Sequence, residues 1–194
     1  MIELIRQRLI SYKAASAVEE EQATKEILQE VALYLLWRGG FFEKAAFQGG
    51  TSLRILYELP RFSEDLDFPL DFEVCHQDLP SNFALKLHAL LCRPYLKGRD
   101  WYDFNWSTKQ RIEPNLPHLQ AALDQFGPWK GKVPELDRQW LADRLKEKIA
   151  TIDWKTAAAD VERFLGPTER ASLTLWSERF FNSKVATLLD SRSC

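Results

Sequence analysis

The sequence predicts an α+β protein, with a small mixed sheet flanked by helices and a C-terminal helical bundle. Three observations carry that prediction. Residues 65–75 alternate in period two: Leu66 and Phe68 oppose Asp65 and Asp67, and Leu70, Phe72 and Val74 oppose Asp71, Glu73 and Cys75. Upstream and downstream of them, apolar residues recur every three to four positions, the spacing of one helix face. From about residue 136 onward only helical stripes remain. The expected organisation is a core over residues 1–106 and a helical region over 107–194.

Taken in order, Ile27, Leu28, Val31, Leu35 and Leu36 mark a helix over residues 19–38 that stops at Gly39-Gly40. Residues 45–47 read as a short buried strand before Gly49. Leu53, Leu56 and Tyr57 suit a short helix from Thr51, ended by Pro60. The two alternating strands follow. Ser81 is the expected N-cap of the next helix, whose apolar face is Phe83, Leu87, Leu90 and Leu91 and whose end is Pro94. Another helix begins near Asp100, where acidic groups complement the helix dipole. Residues 107–117 read as loop and 119–123 as a turn or two of helix. Stripes at residues 136–149 and 154–164 are helices, Gly166-Pro167 is a stop, and residues 173–189 form a last helix or pair.

A chain of 194 residues can bury a core, and its 45% apolar and 28% charged content is that of a globular protein. The net charge of −2 means a nucleic-acid partner would need a local basic patch. Cys75, Cys92 and Cys194 form no CxxC pair, so reduced thiols are expected. No run of about 18 apolar residues is present, and residues 1–13 lack an apolar signal core. The cytoplasm is therefore the expected location, with no membrane partner. Most of the seven Trp and twelve Phe are expected to pack in the core.

Chemistry concentrates in residues 49–68. Gly49 and Gly50 allow close backbone approach at a helix start, and Thr51 and Ser52 add hydroxyls suited to phosphate oxygens. Read alone, this is equally a tight turn with a capping hydroxyl. Asp65 and Asp67 lie two apart in an extended segment, so both carboxylates leave the same face. Mutual repulsion makes a Mg²⁺ ion between them the natural partner, against a plain solvated acidic pair. Arg61 and Ser63 could bond a phosphate or brace the loop. Downstream, Lys86 and Arg93 share a helix stripe, and a lysine among apolar neighbours either snorkels or meets an anion. Arg99, Asp100 and Asp103 then read as an intrahelical pair with an N-terminal acid, or as part of the same site. His88 reads as a packing residue.

GGTSLR at residues 49–54, RFSEDLDF at 61–68, Lys86 and RDWYD at 99–103 together resemble the AbiEii/AbiGii nucleotidyltransferase toxins. The resemblance is detailed over residues 28–106 and looser beyond. It implies a nucleotidyltransferase-like sheet followed by helices, and a toxin of a type IV toxin–antitoxin system in abortive phage defence. It also implies transfer of NMP from an NTP, with Mg²⁺, to an RNA acceptor, tRNA being expected, and a cognate antitoxin. Position by position it implies nucleotide binding by Gly49, Gly50, Thr51, Ser52, Arg61, Ser63, Lys86 and Arg99. Asp65 and Asp67 would hold the metal, and Asp65, Asp67, Lys86 and Asp103 would be catalytic, with Asp100 nearby. One departure stands out: the family's segment between DLDF and the lysine helix, which bears a further metal carboxylate, is absent here. Asp71 or Glu73 is the candidate replacement. The alternative expectation is a shortened, inactive relative that binds a nucleotide or an antitoxin, and the plainest is a structural domain with solvated acids.

Overall fold

The computed structural model describes residues 2–43, 47–63, 65, 77–132 and 135–190. Its helices are α1 (Ile2–Ser11), α2 (Ala17–Arg38), α3 (Gly49–Tyr57), α4 (Leu79–Cys92), α5 (Gly98–Lys109), α6 (Leu116–Gln125), α7 (Arg138–Ala150), α8 (Trp154–Glu162), α9 (Pro167–Ala171) and α10 (Glu178–Asp190). Short 3₁₀ turns occur at Phe41–Glu43 and Ser172–Leu175.

The α+β expectation is overturned: the described residues contain no strand, and the fold class is all-α. At the first expected strand, Phe47 is buried and Gln48 is extended, but the chain enters α3 at Gly49. Residues 45 and 46 lie outside the described residues, as do 66–68 and 70–75 of the other two expected strands. The physical reason is one of numbers. A stable sheet needs about three strands with a face to bury. Here most of residues 79–190 lie in helices with a helical apolar period, and these helices pack against one another.

The chain forms two compact units. The first comprises Met1–Gln77 and Arg163–Glu169. Ser16 caps α2 by accepting from the Glu19 N–H, as the hydroxyl N-cap rule anticipates. α1 packs on α2. The apolar centre holds Ala23, Ile27, Leu53, Leu59, Phe164 and Leu165. Within it Glu26, only 5% exposed, accepts from Tyr12 Oη at 2.5 Å and from Arg54 Nε at 2.7 Å. A buried carboxylate is tolerable only when so satisfied. Burial and that hydrogen bond raise the Tyr12 pKa well above its ordinary value, so the phenol stays a donor.

The second unit comprises Asp78–Glu162 and Arg170–Cys194. α4 packs on α5, α6 and α7, α5 on α8, and α10 on α5 and α7. Five rings bind this unit: Trp154 stacks on Phe181 at 4.2 Å, and Trp101, Phe104 and Trp176 meet Phe181 at 5.1–6.3 Å. Trp101, Trp154 and Trp176 are thus packing residues, as their large apolar rings dictate, while Trp37 is exposed. The α4 cap is Asp78, which accepts from the Ser81 N–H at 2.8 Å, and not Ser81 itself. Pro80 occupies the first turn, so the cap sits two residues before it. Cys92 is a free, half-buried thiol, and burial pushes its pKa up to about 11.

Candidate functional site

In the first unit the glycine pair begins α3. Gly49 takes φ +81°, a left-handed conformation that favours glycine, and no side chain caps the helix start. The chain then leaves α3 through Glu58 and brings residues 61, 63 and 65 back against that same start. A Cβ on Gly50 would stand 2.7 Å from Arg61 Nη2 and 3.2 Å from Ser63 Oγ. Gly50, Arg61 and Ser63 are therefore in direct apposition, and glycine is what leaves room for the guanidinium. Arg61 is 2% exposed and bonds the Phe62 carbonyl at 2.9 Å. Thr51 Oγ1 donates to the Asp65 carbonyl, Ser52 Oγ donates to the Gly49 carbonyl at 2.9 Å, and Gln29 Nε2 donates to the Ser63 carbonyl at 3.2 Å.

These bonds separate two tasks. The Thr51 hydroxyl has one proton, and it goes to the loop, so Thr51 braces the return segment. Beside the helix start, which no side chain caps, lies the buried guanidinium of Arg61; the positive end of a helix dipole next to a cation is an arrangement suited to a phosphate. Asp65 is exposed, on a backbone position that Thr51 fixes. A solvent-facing carboxylate fits Mg²⁺, which keeps several waters and takes one or two carboxylates. Asp67, Asp71 and Glu73 lie outside the described residues. Among the described residues no group of three or more His, Cys, Asp or Glu side chains could hold a metal ion.

In the second unit the lysine and the RDWYD acids form one cluster. Lys86 of α4 is 14% exposed at its side chain and contacts Asp103 of α5 at 2.9 Å and Asp100 at 3.4 Å. Both acids are buried, Asp103 completely. Arg93, at the end of α4, pairs with the other oxygen of Asp100. The RDWYD acids face α4, where the stripe shared by Lys86 and Arg93 meets them with matched charge, and Asp100 also stands in the first turn of α5. Buried ions persist only when paired in this manner. Arg99 is half-buried at the start of α5 and adds to the positive field on Lys97. His88 meets the Phe126 carbonyl at 3.1 Å, a packing role.

Two contributors escape a reading of sequence. Gln29 holds the Ser63 carbonyl from 34 residues away, and Lys148 Nζ bonds the Arg93 carbonyl at 3.1 Å from 55 residues away. Neither has a local pattern that could announce it.

The family model described as nucleotidyl transferase AbiEii toxin, Type IV TA system, matches residues 31–71 and 69–182. Both apposed sets, Gly50 with Arg61 and Ser63 and Lys86 with Asp100 and Asp103, lie inside those segments. The segments meet at residues 69–71, the point where the sequence passes directly from DLDF towards the lysine helix. No curated protein and no solved structure matches the chain. With residues 31–182 accounted for, the chain belongs to the AbiEii nucleotidyl transferase toxin family of type IV toxin–antitoxin systems.

Proposed function

We propose that the protein is a metal-dependent toxin that transfers NMP from an NTP to an RNA acceptor, with tRNA as the expected acceptor, until an antitoxin restrains it. The observation that carries this reading is the apposition of Gly50, Arg61 and Ser63 at a helix start without a side-chain cap. That geometry suits the triphosphate, and the family match supplies the reaction class. Gly49, Gly50 and the α3 N–H groups approach the phosphates, Arg61 and Ser63 contribute charge and a hydroxyl, Thr51 holds the loop, and Ser52 ties the Gly49 carbonyl at the helix start. Mg²⁺ bound through Asp65 and Asp67 would supply charge neutralisation at the phosphates.

The family resemblance assigns nucleotide contact to Lys86 and Arg99 as well, and within its own unit Lys86 is a fixed positive charge. Asp103 is fully buried against Lys86, so its part in this reading is to hold the ammonium in place. Preorganised charge of this sort is the main lever available to a phosphoryl-transfer enzyme. Incubation with labelled NTPs, Mg²⁺ and total tRNA tests the proposal. Wild type should label an RNA, and Asp65→Ala should lower the label by on the order of 100-fold or more. Equal labelling by the two proteins would remove the catalytic claim.

A second reading has its own support. The family match breaks at residues 69–71, and the described residues carry no strand. Both facts suit a shortened relative that binds a nucleotide or its antitoxin without turnover. Calorimetry separates the readings: NTP binding with no product favours the binding module.

A further inference from the structure

The second unit contains a cavity of about 170 Å³ that the roles above do not use. It is framed by the end of α4, the turn at residues 94–97 and the end of α7. Arg93, Lys97 and Lys148 line it, and Asp100 is the acid in its wall. Both oxygens of Asp100 are engaged, one by Lys86 and one by Arg93, so this acid is already neutralised. Three cations and one acid thus line the cavity, which leaves it with a net positive charge. The Lys97 pKa lies below the ordinary 10.5: burial lowers it first, then the charge of Arg99, with Arg93 and Lys86 adding to the effect and Asp100 opposing it. An anion in the cavity would relieve that repulsion.

Size and surroundings narrow the anion. Pockets that enclose a whole nucleotide-sized ligand run to roughly 300 Å³ or more. This one suits a single phosphate with the rest of the molecule outside. Tyr95 stands at the cavity, 62% exposed, with the Arg93 guanidinium 5.8 Å from its ring centre. An exposed ring beside a cationic pocket is the combination that binds single strands, bases stacking while charges hold the backbone.

We propose that the cavity seats one backbone phosphate of an RNA strand, with the neighbouring base stacked on Tyr95. This rests on the transferase reading, in which that strand is the acceptor. The test measures binding of a short fluorescein-labelled single-stranded RNA to the full chain by anisotropy, apart from any turnover. Tyr95→Ala, an exposed change that leaves the core intact, should weaken binding by about 10-fold, as should the Lys97→Gln/Lys148→Gln double variant. The double variant should also flatten the slope of log K against log salt by about 0.7, the loss of one single-strand phosphate contact. Lys97→Arg should retain binding. Unchanged RNA affinity in both Tyr95→Ala and the double variant overturns the proposal, and so does absence of RNA binding by wild type. Inorganic phosphate and ATP serve as separate probes. If the double variant loses either of these and keeps RNA, the cavity belongs to a free phosphate or a nucleotide and the proposal fails. If RNA binding depends on the cavity while no acceptor is ever labelled, the cavity stands and the transferase reading falls.

Discussion

Lys86 shows how much a single side chain is asked to do. Its ammonium sits among groups that are almost wholly buried, Asp103 at 0% and Asp100 at 3% side-chain exposure. Removing one partner of such a set leaves a charge without water or counter-charge, which costs about 3–5 kcal/mol. Lys86→Met should therefore destabilise by about 3 kcal/mol, because Arg93 still serves Asp100 and Asp103 bears the loss. The double variant Lys86→Met/Asp103→Leu should recover much of that loss, since an apolar pair of similar volume needs no counter-charge. Urea midpoints decide the matter. A Lys86→Met midpoint equal to wild type would show that the cluster is solvated. Half of this arrangement was legible beforehand. Lys86 and Arg93 lie seven residues apart and so share a stripe, but nothing in one chain segment says which acids a stripe will face. Asp103 offered Arg99, four residues back on its own helix, as a local partner, and packing brings Lys86 to it from seventeen residues away.

At the level of elements, two glycines of similar appearance have opposite sensitivities. Gly98 opens α5 where it meets α8, and a Cβ there would stand 2.0 Å from the Ala157 carbonyl oxygen. That oxygen belongs to helix backbone and cannot step aside, while the Gly98 N–H is tied to Asp160 at 2.7 Å. Gly98→Ala should cost about 3 kcal/mol and lower Tm by roughly 6–12 °C. Gly50→Ala meets only the ends of Arg61 and Ser63, which can move, and alanine is intrinsically better in a helix by about 1 kcal/mol. Its Tm should stay near wild type while NTP binding falls on the order of 10-fold or more, because Arg61 is displaced. Thermal melts with NTP calorimetry on both variants test the contrast, and a Gly50→Ala protein with full NTP affinity would remove Arg61 from the phosphate site. Sequence marked Gly49-Gly50 as special through its setting before a helix, hydroxyls and acids. It gave no reason to notice Gly98, whose constraint comes from a helix 59 positions away. The longer helices were legible, since 3.6-residue stripes at residues 19–38 and 136–149 leave little choice, whereas α1 was not read from the sequence. Short alternating stretches such as 65–75 were not decisive, because period two marks a candidate strand and says nothing of the partners a sheet needs.

For the whole molecule, the question is whether a family signature carried on a helical frame still binds metal and nucleotide together. The parts are physically favourable: an exposed Asp65 on a braced backbone, and a helix start beside a buried Arg61. A ligand that binds only the folded chain stabilises it by RT ln(1 + [L]/Kd), about 2.7 kcal/mol at a hundredfold excess over Kd. For a chain of this size that corresponds to a Tm rise of roughly 5–11 °C. An NTP with Mg²⁺ should produce such a rise, and an NTP with excess chelator a smaller one. Asp65→Ala should leave the unliganded Tm unchanged, because its carboxylate is exposed, and should erase the difference between the Mg²⁺ and chelator curves. The three curves have separate meanings. A rise that ignores Mg²⁺ in wild type would place nucleotide binding on the helix start and Arg61 alone, without a metal. A Mg²⁺-dependent rise that survives Asp65→Ala would move the metal to other carboxylates. Only loss of the metal increment with the mutation ties Asp65 to the cation, and that outcome is the one the braced, solvent-facing carboxylate favours.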